Sequence, residues 1–598
     1  MILPSIFEEY RKILLYDFEY QVLPGENPVP WCVVIQDLLS GNTEKIWLET
    51  GTSFESLFDD FKSPDVLWVA YFSVAEASCH LVLGWPLPHN MLDLFTEYRN
   101  KTNGVTVGNR LIDALVYHGL DSIGSSWKDE MRGLALRGGP YTAGEQAMLL
   151  DYCKSDVDAL GRLFQVMAPG INLHRALLRG GYMLEVAKME NAGIPIDVEF
   201  FGFLRENWGS LKKAIVEAVD REFGVFDGLS FRVKKFEGYL QKEGIAWPRL
   251  ESGRLALDEE TFKTQASLHP KILTLMETRN TLSKMRLISL TVGCDGRNRS
   301  SLAPFRAKTG RNQPSNSKFI FGSAAWMRHL IRPSPGFALA VLDYEQQEFG
   351  IAGALSSDEN MMEAYLTGDP YLAFAKQARA IPENATKATH KVERDRYKTC
   401  ALAVQYGMGA RSLAAKLGMP LPFGNKLIEK HKKLYPKFWA WIANTSSYAR
   451  IKKRTASVFG WQMAVSRTTP YTSLSNFPMQ ANGAEMLRLA IIIAATFKVK
   501  VIAPIHDALM IEAPVEEINE AVRLTQQAMR EASKSVLRGF EIRTDLKVIQ
   551  YPDRYVDERG TAIWNLVSRF YESATSTDER HCTGEVSNMH SPSNIILY

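Results

Sequence analysis

The sequence predicts a multi-domain protein with an α/β first part and an α+β second part. Its 598 residues are several times the usual length of a domain, and 46% of them are hydrophobic, which suffices for several buried cores. Short β-rich runs separated by Pro, Gly and Asn turns open the chain. Apolar strands lie among longer helical segments further on. These observations exclude a disordered chain.

Strands precede helices in the first part. The β-rich runs lie at residues 13–20, 31–36, 45–49 and 66–72. Apolar residues then recur at helical spacing, at 145–167 and 174–190. We place a domain boundary at 169–172, so the first domain spans residues 1–170.

The second part begins with a mostly helical stretch that ends near Ser289. An apolar strand at 337–342 then leads directly into Asp343, and a basic helix follows at 391–406. Apolar strands at 499–505 and 508–512 flank His506 and Asp507, which predicts a β-hairpin with an acid at its tip. The polar tail at 574–598 has little periodicity, and we expect it to be disordered.

Composition argues against several classes of protein and does not identify a function. Six cysteines are scattered without a CxxC pair, which predicts neither a disulfide framework nor a zinc site. The first 15 residues carry acids inside their apolar stretch, unlike a signal peptide, and no apolar run approaches the ~20 residues that span a bilayer. We therefore expect a cytoplasmic protein without a membrane partner. The net charge of +3 is too small to indicate nucleic-acid binding.

Two aspartates are candidate metal ligands. Phosphoryl transfer to a nucleotide uses two divalent cations about 4 Å apart, held by carboxylates from distant parts of a sequence. Asp343 and Asp507 each follow an apolar strand, where a sheet can present both at its rim. A single aspartate in such a place is also compatible with a turn or a helix cap.

The basic helix offers a candidate nucleotide site. Arg394, Lys398, Leu402 and Tyr406 recur at i+4 and therefore line one helical face. Two cations one turn apart suit a triphosphate, and the next two turns present an apolar and an aromatic surface to a base. The alternative is a solvated basic flank.

Taken together, these residues resemble the three polymerase motifs of family A DNA polymerases. Residues 343–348 (DYEQQE) are similar to the family's DYSQIE, residues 394–407 to RxxxKxxxFGxxYG, and residues 505–508 (IHDA) to VHDE. The order along the chain is also the family's. The resemblance implies a right-hand polymerase domain at 171–573, with a thumb at about 198–290 and a palm and fingers at about 295–573.

Further matches surround these motifs. Thr309-Gly310-Arg311 is similar to the family's TGR, and Asp369-Pro370-Tyr371 to a segment at the start of the fingers. Asn476-x-Pro478-x-Gln480 is similar to the family's NxPxQ. The resemblance implies that the minor-groove side of a primer–template is bound by Arg311, Asn476 and Gln480, with His506 at the primer terminus.

The resemblance also implies the roles of the catalytic residues. Asp343 and Asp507 would hold two Mg²⁺ ions, while Arg394 and Lys398 would clamp the triphosphate and Lys398 would act as a general acid. The nucleotide-binding set would be completed by Gln346, Glu348, Leu402 and Tyr406. Glu348 would fill the space of a ribose 2′-hydroxyl, which implies a deoxynucleotide substrate.

Three positions depart from the family's pattern. Leu402 replaces an aromatic residue, which removes a stacking surface worth about 1 kcal/mol or more and predicts altered dideoxynucleotide discrimination. Ala508 replaces a glutamate, and Thr472 replaces an arginine that contacts the minor groove. Because the two principal metal ligands remain, we expect catalysis to survive.

The first domain resembles a DEDD-type 3′→5′ exonuclease, which implies an RNase H-like fold. Asp17 and Glu19 match the opening DxE, and Tyr152 and Asp156 match YxxxD. Asp17, Glu19 and Asp156 would hold two further Mg²⁺ ions. A DxE tripeptide also occurs by chance, so a structural role stays open.

The middle exonuclease motif is incomplete. Glu76 stands where the family has an aspartate, and the asparagine four residues before it is replaced by Phe72. Asp93 is the alternative ligand, although residues 88–93 are interpreted as a loop that leads into a helix. A domain that keeps the fold but has lost catalysis is the alternative to proofreading.

The implied function is DNA-dependent DNA synthesis from a primer, with 3′→5′ proofreading, in phage DNA replication. The implied partners are primer–template DNA and dNTPs, and we expect a monomer, in the host cytoplasm if the chain is phage-encoded. Because the chain begins with the exonuclease-like segment, we expect no 5′-nuclease domain.

Two other functions share these features. A single-subunit RNA polymerase would have the same palm, but Glu348 and the TGR segment argue against it. A nuclease whose second half only binds DNA is disfavoured by the four residues Asp343, Arg394, Lys398 and Asp507 together.

Overall fold

The structure is a computed structural model, and it describes residues 4–48, 55–121, 125–250, 252–284 and 289–582. The described chain divides into two compact units. The first contains residues up to 194, 292–315 and 334–550, and the second contains 195–291, 316–333 and the residues from 551 onward. Among the described helices, none combines the length and the apolar character that crossing a bilayer requires.

A five-stranded sheet organises the N-terminal part of the first unit. Its strands are β1 Lys12–Gln21, β2 Val29–Asp37, β3 Thr43–Trp47, β4 Val66–Ala70 and β5 Asn90–Asp93. The helices are α1 Glu55–Lys62, α2 Val74–Leu83, α3 Leu94–Thr102, α4 Leu111–Tyr117, α5 Ser125–Arg137, α6 Ala143–Met167 and α7 Leu173–Ala192. The strand order is β3-β2-β1-β4-β5, with β1, β2 and β3 antiparallel and β1, β4 and β5 parallel.

On one face of β1, two apolar side chains are followed by two acidic ones. Ile13 and Leu15 belong to a buried core that also contains residues of α6. Successive side chains of a strand point to opposite faces, so Asp17 and Glu19 continue this row toward α6. The acids predicted from the DxE motif therefore lie on the helix-covered face of the sheet.

Residues 88–93 correct one expectation. A loop is predicted here, whereas residues 90–93 form β5, which pairs in parallel with β4. The buried side chains of Met91 and Leu92 and the backbone pairing with β4 together favour a strand. Asp93 then caps α3 by accepting a hydrogen bond from the Thr96 amide at 2.6 Å.

A four-stranded antiparallel sheet lies in the later part of the first unit, in the order β13-β14-β10-β15. The strands after residue 330 are β10 Phe337–Tyr344, β11 Arg454–Ala456, β12 Gln462–Ala464, β13 Val501–Ile505, β14 Ala508–Pro514 and β15 Thr544–Gln550. The predicted hairpin is confirmed by β13 and β14. Shorter strands are β6 Ile194–Pro195, β7 Phe226–Asp227, β8 Ser230–Phe231 and β9 Arg297–Asn298.

Nine helices accompany this sheet in the described part of the first unit. They are α13 Gln347–Ser356, α14 Glu359–Leu366, α15 Pro370–Gln377, α16 Lys391–Gln405, α17 Ala410–Lys416, α18 Leu421–Leu434, α19 Pro436–Lys452, α20 Tyr471–Thr496 and α21 Ile518–Val536. The predicted basic helix is α16, which ends at Gln405 because Gly407 takes a left-handed backbone (φ 69°).

The second unit is mainly helical. Its helices are α8 Val198–Glu206, α9 Trp208–Phe223, α10 Val233–Lys242, α11 Glu259–Leu268, α12 Lys271–Lys284 and α22 Thr561–Cys582. Phe200 of α8 stacks on Trp564 of α22, with ring centroids 4.9 Å apart. The tail expected to be disordered from residue 574 is thus helical through Cys582, because it extends a helix anchored by aromatic packing. Residues 583–598 lie outside the described residues.

Candidate active sites

The four-stranded sheet gathers three aspartates at one end. Asp343 on β10 lies opposite Ala508 on β14 and opposite Asp545 on β15. Asp507 directly precedes Ala508 at the tip of the β13–β14 hairpin, where His506 has a left-handed backbone (φ 55°). The two aspartates predicted to bind metal are therefore brought to the same edge.

Asp545 is a carboxylate that sequence reasoning missed. Burial, followed by the charges of Asp507 and Asp545, raises the pKa of Asp343 to about 6, although the Asp343 side chain keeps access to solvent. The sequence feature that would have identified Asp545 is its position near the start of an apolar-containing strand, β15. Like charges held together in this way are relieved by a divalent cation with oxygen ligands.

Arg311 lies against one of the predicted metal ligands. Its Nη2 donates a hydrogen bond to Asp507 Oδ1 at 2.7 Å, and each side chain is 27% exposed. The preceding Gly310 has φ 76° and approaches Trp461 so closely that a Cβ would lie 3.0 Å from its Nε1. The side chain expected to bind DNA is therefore placed to neutralise Asp507.

Glu348, Tyr406 and Gln480 form one hydrogen-bonded group. Tyr406 Oη donates to Glu348 Oε1 at 3.0 Å, and the same tyrosine is hydrogen-bonded to Gln480. Burial raises the pKa of Glu348, and burial with the Glu348 charge raises the pKa of Tyr406 to about 12. The tyrosine therefore stays protonated and fixes the position of the carboxylate.

The two cations of α16 share an aromatic neighbour. The charged groups of Arg394 and Lys398 lie 5.4 and 5.8 Å from the centre of the Tyr371 ring. Arg394 is buried and donates to Asp369 Oδ2 at 2.7 Å and to Asp395 Oδ1 at 3.0 Å. Lys398 is exposed. An incoming anion would thus meet Lys398 more readily than Arg394.

Leu402 and Gln346 complete the predicted nucleotide-binding set. Leu402 is half-buried on α16, one turn before Tyr406. Gln346 has a left-handed backbone (φ 45°), and its Oε1 accepts a hydrogen bond from Arg543 Nη2 at 3.3 Å. The Gln346 side chain is therefore directed toward Arg543.

The predicted DNA-binding residues lie on α20 and at the hairpin tip. Asn476 and Gln480 are one turn apart on α20 and share one face, while His506 is exposed. Among the described residues, the buried Asn476 Oδ1 has no hydrogen-bond partner. An unsatisfied buried acceptor of this kind suits a donor from a ligand.

A second acidic cluster lies between β1 and α6. One ligand atom from each of Asp17, Glu19 and Cys153 lies within 4.8 Å of the others. The Cys153 thiol donates to the Asp17 backbone oxygen at 3.1 Å. Tyr152 and Asp156 share a face of α6 because they are four residues apart. The sequence motifs did not identify Cys153 as a member of this cluster. Its position directly after Tyr152, within the YxxxD motif, is the sequence feature that would have pointed to it.

Burial controls the protonation of this cluster. Burial, with the charge of Asp156 as the second cause, raises the pKa of Asp17 to about 8. Burial and then the charge of Asp17 also raise the pKa values of Glu19 and Glu76. Buried acids ionise when positive charge compensates them, so the cluster has the character of a cation site.

Glu76 takes part in the cluster and Asp93 does not. Glu76 lies in the first turn of α2, is buried, and hydrogen-bonds with Asp17. Its Oε2 has no hydrogen-bond partner in the described parts of the chain. Asp93 instead accepts hydrogen bonds from the Ser73 amide, the Ser73 hydroxyl and the Thr96 amide at 2.6–2.7 Å. Both oxygens of Asp93 are therefore occupied by hydrogen bonds from Ser73 and Thr96.

Relatives identified by sequence are DNA polymerases. The chain is 25% identical over 376 residues to the thermostable DNA polymerase I of Thermus thermophilus, covering 58% of this chain and 44% of that protein. It is 23% identical over 385 residues to DNA polymerase I of Chloroflexus aurantiacus, covering 59% and 40%. It is also 22% identical over 408 residues to the DNA polymerase of Mycobacterium phage D29, covering 66% of each. The chain therefore spans less than half the length of the two bacterial relatives.

A solved structure is similar in fold. The POL domain of Pol1 from M. smegmatis, in complex with DNA primer-template and dNTP, matches with a TM-score of 0.70 and 18% identity, covering 92% of this chain and 97% of that one. The family model described as DNA polymerase family A matches residues 253–548, which include both the three-aspartate edge and α16. Residues 253–548 of the chain therefore belong to DNA polymerase family A.

Proposed function

We propose that the chain is a DNA-dependent DNA polymerase that adds deoxynucleotides to a primer 3′ end. The observation that carries this proposal is the register of β10 and β14, which places Asp343 beside the hairpin tip that bears Asp507. Family membership and the relatives named DNA polymerase support it.

The carboxylates at this edge fit two Mg²⁺ ions. Asp343 and Asp507 would hold them, and Asp545 adds negative charge close by, as the raised pKa of Asp343 indicates. When bound, such ions polarise phosphoryl oxygens and lower the pKa of an attacking hydroxyl. Arg311 Nη2 would compete with a cation for Asp507 Oδ1.

The protein's own side chains would position the nucleotide. The exposed ammonium of Lys398 can bind a triphosphate and donate a proton to the leaving pyrophosphate. Arg394, held by Asp369, would offer its remaining donors to the same phosphates. Glu348, held by Tyr406, would occupy the space of a 2′-hydroxyl and select deoxynucleotides.

We also propose a 3′→5′ exonuclease activity for the first domain, residues 1–170. The strand order around β1 and the convergence of Asp17, Glu19, Glu76 and Asp156 support it. These carboxylates would hold two Mg²⁺ ions, while Tyr152 would orient a water molecule. We propose the polymerase domain at 171–573, and a monomer in the host cytoplasm that serves phage DNA replication.

A primer–template assay tests both activities. Purified full-length protein is incubated with a 5′-labelled primer annealed to template and Mg²⁺, with dNTPs, with NTPs or with neither. We expect extension by dNTPs that Asp507→Asn abolishes, and shortening without nucleotides that Asp17→Asn abolishes. The exposed Asp553, changed to Asn, is the matched control and should alter neither.

The outcomes separate the two proposals. Extension that persists in Asp507→Asn would contradict the assigned polymerase site, and extension by NTPs at a rate equal to dNTPs would favour an RNA polymerase. Extension without any shortening would refute the exonuclease proposal alone.

A further inference from the structure

The first turn of α5 carries two side chains onto the acidic cluster of β1, α2 and α6. Lys128 Nζ lies 2.5 Å from Asp156 Oδ1, and their side chains are 17% and 13% exposed. The same ammonium lies 6.0 Å from the centre of the Tyr152 ring. Trp127 meets that ring edge-to-face at 5.4 Å. Lys128 is therefore held in place by both a charge and an aromatic surface.

The charge of Lys128 acts on more than its direct partner. It lowers the pKa values of Asp17 and Glu19, against the larger effect of burial. One ammonium thus influences Asp17, Glu19 and Asp156, the three residues predicted to bind metal in this domain. A cation bound by the same oxygens would be strongly repelled by it, because like charges interact strongly in a partly buried site.

The cluster still suits a divalent cation in its chemistry. Its ligands are carboxylate oxygens, which hard cations prefer. The buried Glu76 Oε2, without a hydrogen-bond partner in the described residues, remains an unused acceptor beside Asp17. The cluster therefore offers a divalent cation more carboxylate oxygens than one ammonium can pair with.

We propose that Lys128 takes the place of one divalent cation in the exonuclease-like site and must be displaced before the site binds its full metal complement. The inference rests on the proposed exonuclease activity and adds that the Mg²⁺ concentration regulates this activity. Exonuclease action would then require more Mg²⁺ than a site without this lysine. At limiting Mg²⁺, the protein would favour synthesis over primer degradation.

Metal binding tests this proposal directly, without an activity assay. Mn²⁺ is titrated into full-length protein and free Mn²⁺ is followed by electron paramagnetic resonance. Every variant carries Asp343→Asn and Asp507→Asn, so that the polymerase site does not contribute. Lys128→Met and Lys128→Gln remove the charge, whereas Lys128→Arg keeps it. Lys154→Met is the matched control, because Lys154 pairs at 2.6 Å with Asp158, which is not a predicted ligand.

The parent protein carries Asp343→Asn and Asp507→Asn alone. We expect Lys128→Met and Lys128→Gln to bind Mn²⁺ about tenfold more tightly than this parent, the size of effect seen when groups around metal ligands change. Lys128→Arg and Lys154→Met should bind like the parent. Adding Asp17→Asn should remove the tight site from every variant. Melting curves of the two neutral variants check that each remains folded.

The possible failures are distinguishable. Equal Mn²⁺ affinity in the parent and in both neutral variants would overturn the role of Lys128, and the metal site would stand if Asp17→Asn still removed binding. Absence of Mn²⁺ binding in the neutral variants would instead contradict the metal site, and with it the exonuclease proposal.

Discussion

Arg311 and Asp507 form an ion pair with a contact of 2.7 Å, although sequence motifs assign the arginine to DNA and the aspartate to metal. Asp507 and a primer–template would compete for the Nη2 donor of this guanidinium. DNA binding by Arg311 would free Asp507 Oδ1 for a cation. The pair would thereby link DNA binding to metal binding.

Removing the guanidinium should expose this link. We expect Arg311→Ala to tighten Mn²⁺ binding at the proposed polymerase site about fivefold without DNA, because a partly exposed ion pair is worth ~1 kcal/mol or less. The same variant should extend primers more slowly. Mn²⁺ titration in an Asp17→Asn background measures the first effect, with the exposed Arg306→Ala as control. Unchanged or weaker Mn²⁺ binding would argue against competition between the two residues.

The Glu348–Tyr406 hydrogen bond predicts graded sugar selectivity. Tyr406→Phe removes the hydroxyl that holds Glu348, and Glu348→Ala empties the space. We expect the preference for dNTP over NTP, as a ratio of kcat/KM, to fall about tenfold in Tyr406→Phe and more in Glu348→Ala, since a hydrogen bond to a charged group is worth about 1.5 kcal/mol or more. Steady-state single-nucleotide incorporation measures both. Equal selectivity in all three proteins would show that Glu348 does not contact the sugar.

The raised pKa of Asp343 predicts a pH-dependent stability. The pKa is about 6 in the folded protein against an ordinary value of 3.8, so the folded state binds the proton more tightly. This stabilisation is complete below about pH 3.8 and is lost as the pH rises through about 6. Asp343→Asn should therefore stabilise metal-free protein at pH 8 by about 1 kcal/mol, after allowing for solvent screening of an exposed side chain.

Thermal melting in EDTA checks this prediction. The melting temperature of Asp343→Asn should exceed that of wild type by a degree or so at pH 8, and the difference should shrink at pH 5. Asp553→Asn serves as the control. A destabilised Asp343→Asn at pH 8 would mean that Asp507 and Asp545 do not repel Asp343.

A buried ion pair between α3 and α7 should matter for stability. Arg179 donates to both carboxylate oxygens of Glu97 at 2.6 and 2.8 Å, and each side chain is 6% exposed. We expect Arg179→Met to destabilise the protein by about 3–5 kcal/mol, because Glu97 would remain buried without its partner. The double variant Arg179→Met/Glu97→Leu should recover most of the loss. Urea denaturation of the three proteins measures this, and no recovery would indicate that packing, not charge, dominates.

Much of the candidate polymerase site was predictable because its residues sit in short local patterns. Asp343 and Asp507 follow apolar strands, and Arg394 and Lys398 lie one helical turn apart. The predicted loop at 88–93 contains the strand β5 instead, because its parallel partner β4 is more than 15 residues away in the chain and favours a strand there. Pairing with a distant strand overrode a polar local sequence.

Local periodicity determined where β10, β13 and α16 lie and which acids follow the two strands, because alternation on a strand and the turn of a helix depend only on neighbouring residues. Tertiary structure alone decided which charges meet. Asp545 lies opposite Asp343 through strand pairing, and Lys128 reaches Asp156 because α5 packs beside α6. Such encounters depend on contacts between segments far apart in the sequence, where burial and short distances make electrostatic effects strong.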